Sequence, residues 1–266
     1  MFRFVRTYPL ATPADGPAIL LRFQKGEFVH HPDAFLPVAA PVDPEIPHVY
    51  LGTLDGLPCL AESLPDDLTL EPGLRTVGLR SLYGTVDDAH YALVGYAMQI
   101  LRWQRTGRFC SVCATEMQPI PGSWGRECLN CGHNVYPPVS PAMLALVHDG
   151  ADQVLLAQKP GWGKRYSILA GFVEPGESLE ECVIREVHEE VGVQVEAPVY
   201  QGSQSWPFPH QIMIGFTCRY THGEIKLDEA ELSEAAWFRY DALPELPPPL
   251  SLSRQIIDRW VSSRQR

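Results

Sequence analysis

The second half of this chain alternates short apolar runs with turn residues, a pattern that predicts strands broken by two helices. Residues 141–148 (PAMLALVH) and 153–158 (QVLLAQ) are nearly continuous apolar runs flanking Asp149-Gly150, and they read as buried strands joined by a hairpin turn. Residues 167–173 form a further short strand ending near glycine. Ser178 followed by Glu181 makes a capping box, so a helix should begin near Leu179, and Gly192 is placed to end it. Strands are expected at 195–201, 212–220 and 237–239. Pro247-Pro248-Pro249 then breaks the chain before an amphipathic helix over 253–262. Strands alternating with two helices predict an α/β or α+β domain covering 138–266.

Signals in the first half are weaker. Ala89, Leu93, Tyr96, Ala97, Ile100 and Leu101 recur at helical spacing and predict a helix over 87–104. Residues 51–60 read as strand, turn and strand about Asp55-Gly56. Five prolines between Pro32 and Pro47 predict a loop or a broken edge. Residues 1–105 are therefore expected to form a mixed α/β N-terminal domain.

Composition narrows the class. The chain has 266 residues, 21 Lys and Arg against 32 Asp and Glu, and a net charge of −11. No apolar run approaches the ~20 residues that span a bilayer. The opening stretch has no apolar signal segment, so a cytoplasmic protein without membrane association is expected. Excess acid disfavours extensive nucleic-acid contact, which needs a cationic surface. Residues 174–190 carry a net −6 and residues 224–234 a net −4, so these two stretches hold nearly all of the negative charge.

Cys110, Cys113, Cys128 and Cys131 form C-x2-C-x14-C-x2-C. This spacing suits a structural, tetrahedral Zn²⁺ site in a zinc ribbon over residues 106–137. The alternative, two disulfides, needs an oxidising compartment. His133 is a possible competing ligand, but four thiolates already complete the set. Cys59, Cys182 and Cys218 are isolated and read as small apolar residues.

Within the predicted helix over 179–191, Glu186, Glu189 and Glu190 are three and four residues apart and share one face. Such a trio repels itself unless a cation intervenes, and its hard oxygens suit Mg²⁺ or Mn²⁺. A solvated acidic face is the plain alternative. Arg185 can pair locally with Glu181 or Glu189. Lys159, Lys164 and Arg165 precede this segment and could offset phosphate charge, although at least two are expected to be solvated loop residues.

The wider segment reads G-x5-E-x7-R-E-U-x-E-E-x-G-U, with U aliphatic, through Gly171, Glu177, Arg185, Glu186, Val187, Glu189, Glu190, Gly192 and Val193. It resembles the Nudix box. Ten residues on, Ser203, Gln204, Ser205, Trp206, Pro207, Phe208, Pro209, His210 and Gln211 (SQSWPFPHQ) resemble the SQPWPFPxS signature of NADH pyrophosphatases, the NudC-like Nudix family. Ser205 and Gln211 depart from that signature. The order of N-terminal domain, four-cysteine ribbon and box-bearing domain is also that of this family.

The resemblance implies an α/β/α sandwich, a homodimer, and metal-dependent hydrolysis of the pyrophosphate in NADH or NAD⁺ to a nicotinamide mononucleotide and AMP. It implies that Glu186, Glu190, Glu231 and the Ala170 carbonyl bind Mg²⁺ or Mn²⁺, with Glu189 as base or further ligand. Glu231 is chosen because it precedes Glu234–Phe238 (EAAWF), which is similar to the family's EANWY strand. Substrate contacts are implied at Arg80, Tyr136, Phe172, residues 204–211 and Ser253. The 5′ NAD cap of RNA offers the same pyrophosphate and is an alternative substrate, as are other dinucleotides of ADP-ribose type. A nucleotide-sensing module without catalysis and a nucleic-acid-binding ribbon protein are the non-enzyme readings.

Overall fold

The computed structural model describes residues 4–7, 17–32, 35 and 46–265. Most of the proline-rich stretch expected to be a loop lies outside the described residues. The chain divides into two compact units, residues 1–138 and 139–266.

The first unit is built on a six-stranded mixed sheet and is more regular than its sequence suggests. Strands β1 (Phe4–Arg6), β2 (Ile19–Gln24), β3 (Glu27–His30), β4 (His48–Leu54), β5 (Leu57–Ser63) and β6 (Arg75–Val77) lie in the order β1-β4-β5-β2-β3-β6. The predicted Asp55-Gly56 hairpin is β4–β5, with Leu54 opposite Leu57. A second hairpin, β2–β3, turns at Lys25-Gly26, both at positive φ. After the short helix α1 (Leu79–Leu82) comes α2 (Asp88–Thr106), capped by the Asp87 carboxylate on the amides of Ala89 and His90. Of the predicted apolar positions, Leu93, Ala97 and Ile100 are buried, Tyr96 and Leu101 half-buried and Ala89 exposed, while Val94 and Trp103 join the buried face.

Three two-residue strands, β7 (Gln118–Pro119), β8 (Arg126–Glu127) and β9 (Asn134–Val135), form the small sheet of the cysteine module. The indole of Trp103 donates to the Trp124 carbonyl at 2.7 Å, and that of Trp124 donates to the Tyr96 hydroxyl at 3.0 Å. These bonds tie α2 to the module.

The second unit is an α/β/α sandwich. Strands β10 (Ser140–His148), β11 (Gln153–Gln158), β12 (Leu169–Phe172), β13 (Gln194–Trp206), β14 (Gln211–His222) and β15 (Glu234–Arg239) form one sheet, in the order β13-β14-β10-β11-β15 with β12 pairing β10. Helices α3 (Leu179–Val191) and α4 (Leu252–Arg264) cover its two faces. Strand β10 explains why its sequence looked uniformly apolar: Met143, Ala145 and Val147 enter the α3 core, while Leu144 and Leu146 enter the α4 core. Antiparallel β11 continues this alternation, with Leu155 and Ala157 facing α3 and Val154 and Leu156 facing α4. Strands β13 and β14 run longer than predicted. The signature segment over residues 203–211 is mostly strand, leaving only Pro207–His210 as the turn. Pro207 and Pro209 lack the amide hydrogen a ladder requires, so pairing stops there.

Candidate functional site

Helix α3 begins where its capping box requires. Ser178 Oγ accepts from the Glu181 amide, and Glu181 Oε2 accepts from the Ser178 amide at 2.7 Å. Glu181 is thus committed to the cap rather than to Arg185. At the other end, Gly192 adopts φ 74°, a left-handed cap that suits glycine.

Arg185 organises the acidic face. Its guanidinium forks onto Glu177, with Nη2 to Oε1 at 2.6 Å and Nε to Oε2 at 2.9 Å. Nη1 reaches Glu189 Oε2 at 2.9 Å and Glu186 Oε1 at 3.1 Å, and Nη2 also donates to the Phe172 carbonyl at 2.9 Å. The guanidinium holds the Glu177 carboxyl down at about 2. Gly171 lets the Glu186 carboxylate approach β12, because a Cβ at that position would overlap it.

Glu190 is the most unusual group. It is 2% exposed, and neither carboxylate oxygen has a hydrogen bond. The Lys159 ammonium stands 3.4 Å from Glu190 Oε1 and 3.8 Å from Glu231 Oε2, and it donates to the Ala170 carbonyl at 3.5 Å. Glu190, Glu231 and the Ala170 carbonyl are therefore gathered around Lys159, while Glu186 and Glu189 are held by Arg185. Lys164 and Arg165 are exposed, in line with solvated loop residues. No local sequence signal separates Lys159 from those two. Its position follows from the nonlocal register Gln158↔Glu234, which brings the end of β11 beside Glu231.

An all-oxygen donor set, an orphaned buried carboxylate and a backbone cradle fit a hard divalent cation. Among the described residues, the four cysteines are the one group of three or more such side chains whose ligand atoms all lie within 4.8 Å of one another; Glu186, Glu190 and Glu231 do not form a group that tight.

Burial pushes the Glu190 carboxyl up to about 7, with Glu186 and Glu231 adding to the rise and Lys159 opposing it. Burial also raises Glu186. In metal-free protein, the stability linked to the raised Glu190 value is present below the ordinary carboxylate range and is lost as pH rises through about 7. The full loss is roughly 3 kcal/mol. Melting curves in chelator should show wild type and Glu190→Gln close together near pH 5, with the variant more stable at pH 8. Parallel profiles would refute this.

The signature segment lies on the β13–β14 hairpin. Gln204 spends both amide atoms on the start of α4: Nε2 donates to the Leu250 carbonyl and Oε1 accepts from the Leu252 amide, each at 2.9 Å. Ser253, buried in the first turn of α4, donates its hydroxyl to Ser251 Oγ at 3.1 Å. Gln204→Ala is therefore expected to cost about 1–3 kcal/mol by stripping partners from two backbone groups. Gln204→Glu should cost nearly as much, since it sets a carboxylate oxygen against the Leu250 carbonyl. An unchanged melting temperature in both would sink this reading.

Trp206 and Phe208 pack edge to face, with centroids 5.1 Å apart. His210 Nδ1 lies 3.2 Å from Ser140 Oγ, Ser205 and Pro209 are exposed, and Gln211 opens β14. Phe172 is half exposed beside Gly171. Arg80 and Tyr136 belong to the first unit: Arg80 is exposed on α1, and the Tyr136 ring packs over Gly125 with much of its surface open.

The four cysteine sulfurs cluster, with Cys113 3.4 Å from Cys128 and 3.5 Å from Cys131, and Cys110 3.6 Å from Cys131. Zn–S bonds of about 2.3 Å place tetrahedral sulfurs about 3.8 Å apart, so the group fits Zn²⁺. His133 stands off beside Ser111 at 3.4 Å. Cys59, Cys182 and Cys218 are buried, as expected of small apolar residues.

Three family models match successive stretches of the chain: an NADH pyrophosphatase-like rudimentary NUDIX domain over residues 15–103, an NADH pyrophosphatase zinc ribbon domain over 105–136, and a NUDIX domain over 138–261. The chain is 45% identical over 215 residues to a protein of Pseudomonas aeruginosa (strain LESB58) named NAD-capped RNA hydrolase NudC, covering 80% of this chain and 77% of the relative. A Deinococcus radiodurans protein of the same name is 42% identical, covering 79% and 76%. A crystal structure of a NUDIX hydrolase from Nitrosomonas europaea shares the fold at a TM-score of 0.51 and 22% identity, covering 59% of this chain and 92% of that one. With the N-terminal sheet, the ribbon and the box in this order, the chain belongs to the NudC-like, NADH pyrophosphatase-type family of Nudix hydrolases.

Proposed function

We propose that this chain hydrolyses the pyrophosphate of NADH or NAD⁺, releasing AMP and a nicotinamide mononucleotide. The observation that carries this reading is the gathering of Glu190, Glu231 and the Ala170 carbonyl next to Glu186, behind an intact box. These four groups would hold Mg²⁺ or Mn²⁺. When bound, such an ion supplies positive charge to the phosphate oxygens and acidifies the attacking water.

The chain's own groups do the rest. Arg185 fixes Glu177, Glu186 and Glu189 in place. Glu189, more than half exposed and tethered through Oε2, is assigned to accept the water's proton. Phe172, Trp206, Phe208 and Tyr136 are assigned to flat rings of the substrate, and Arg80 to a phosphate. Residues 205–211 and Ser253 frame the ring site, while Gln204 anchors it to α4.

A second reading, the NAD cap of RNA, is favoured by the names of the curated relatives. It presents the same bond to the same groups. We also assign boundaries of 1–105, 106–137 and 138–266, a homodimer, structural Zn²⁺ on the four cysteines, and a reducing, cytoplasmic setting suited to free thiolates. No helix among the described residues is long and apolar enough to cross a membrane.

Incubation of the full chain with NADH and Mg²⁺ or Mn²⁺, followed by chromatography, should yield AMP and reduced nicotinamide mononucleotide. Folded, metal-supplied protein that releases no AMP from NADH or NAD⁺ would overturn the proposal. Release from capped RNA alone would select the second reading.

A further inference from the structure

Lys159 directly follows β11, and its side chain is about two-thirds buried. Its ammonium contacts three of the four groups assigned above to the divalent ion: Glu190, Glu231 and the Ala170 carbonyl. The fourth, Glu186, is held by Arg185 instead. Glu190 has no hydrogen bond, so this ammonium, 3.4 Å away, is the opposite charge that faces a carboxylate with almost no access to water. An ammonium and a divalent cation repel strongly in such a low-dielectric place, so holding both against Glu190 is costly. The lysine stem is flexible, and the following loop holds Gly161 and Gly163, both at positive φ.

We propose that Lys159 is the site's built-in counter-cation: it neutralises Glu190 and Glu231 in the metal-free enzyme and is displaced when the divalent ion binds, so it sets the metal affinity. The proposal rests on the metal-binding reading above. It makes Lys159 a positioning residue that competes with the cofactor, which gives its removal a sign opposite to that of damage. Structural damage weakens metal binding, whereas loss of a competitor tightens it, because apparent affinity is the intrinsic affinity scaled by the fraction of vacant sites.

The test is calorimetric titration of the zinc-loaded full chain with Mn²⁺. Lys159→Met should bind Mn²⁺ about three- to tenfold more tightly than wild type. It should melt at a lower temperature without Mn²⁺ and gain more on saturation. Lys159→Arg keeps the charge and should show no tightening. A second measurement needs no variant: amine labelling of wild-type Lys159, read by mass spectrometry, should rise about threefold or more when Mn²⁺ is added. Equal or weaker Mn²⁺ binding by Lys159→Met, or labelling that is unchanged or reduced by Mn²⁺, would overturn the proposal. If folded wild-type protein bound no Mn²⁺ at all, the metal reading would fall first and this inference with it.

Discussion

A Glu190→Gln variant is expected to lose about 10³-fold or more of the NADH hydrolysis rate while remaining folded. Glutamine keeps the volume of the side chain and removes the charge that a divalent ion would bind. Several kcal/mol of transition-state stabilisation depend on that charge, and each 1.4 kcal/mol is about tenfold in rate. The fold does not depend on it in the same way. The carboxylate is buried, lacks a hydrogen bond and has its ionised form disfavoured by burial. The same substitution should therefore remove activity and raise metal-free stability above neutral pH. The decisive measurements are kcat at saturating substrate beside a thermal melt in chelator. Near-normal kcat would contradict the assignment of Glu190 to the cation, and a collapse of the fold would contradict the electrostatic account.

Replacing Arg185 with methionine is expected to have the larger effect on stability. One guanidinium serves Glu177, Glu186, Glu189 and the Phe172 carbonyl, linking α3 to β12 and to the loop between them. Glu177 and Glu186 have little exposed side-chain surface, so they would lose their counter-charge in poor contact with water. Breaking a buried pair costs about 3–5 kcal/mol. Because the Arg185 side chain retains 25% exposure, the lower end, about 3 kcal/mol, is expected. For a unit of this size that is a fall of roughly 10 °C in melting temperature. Arg185→Lys should recover little, since an ammonium cannot fork onto Glu177 while also reaching two other carboxylates. A loss below a few degrees for methionine, or full recovery with lysine, would show that the network is decorative.

Legibility in the sequence followed the range of the interactions. Helix α3 was readable to the residue because its determinants are local: Ser178, Glu181 and Gly192 act on backbone within one turn. Strands β10 and β11 were readable because burial on both faces leaves no polar interruption. The N-terminal sheet was mostly missed. Its central pairing joins β2 to β5 in parallel, across the distance from Ile19 to Cys59, and no local pattern announces such a partner. The β2–β3 hairpin was detectable from Lys25-Gly26 between apolar runs. In the site, the helical spacing showed that the glutamates share a face. It did not show that Lys159 would lie against Glu190 and Glu231, because that depends on the pairing of β11 with β15. Gln204 was legible as part of a signature, but its bonds to α4 bridge more than forty residues.

Strand β12 is four residues long and pairs only with β10, so its other side is a free edge inside the unit. The carbonyls of Ala170 and Phe172, two residues apart, both point to that side, and they are met by Lys159 and Arg185 respectively. Unpaired strand edges invite pairing with another chain, and proteins commonly guard them with positive charge. The same two residues that organise the acidic centre are thus also the guard of a sheet margin. Losing both at once should do more than disable chemistry: it would strip the Ala170 carbonyl of its donor and leave the Phe172 carbonyl only the Cys182 thiol.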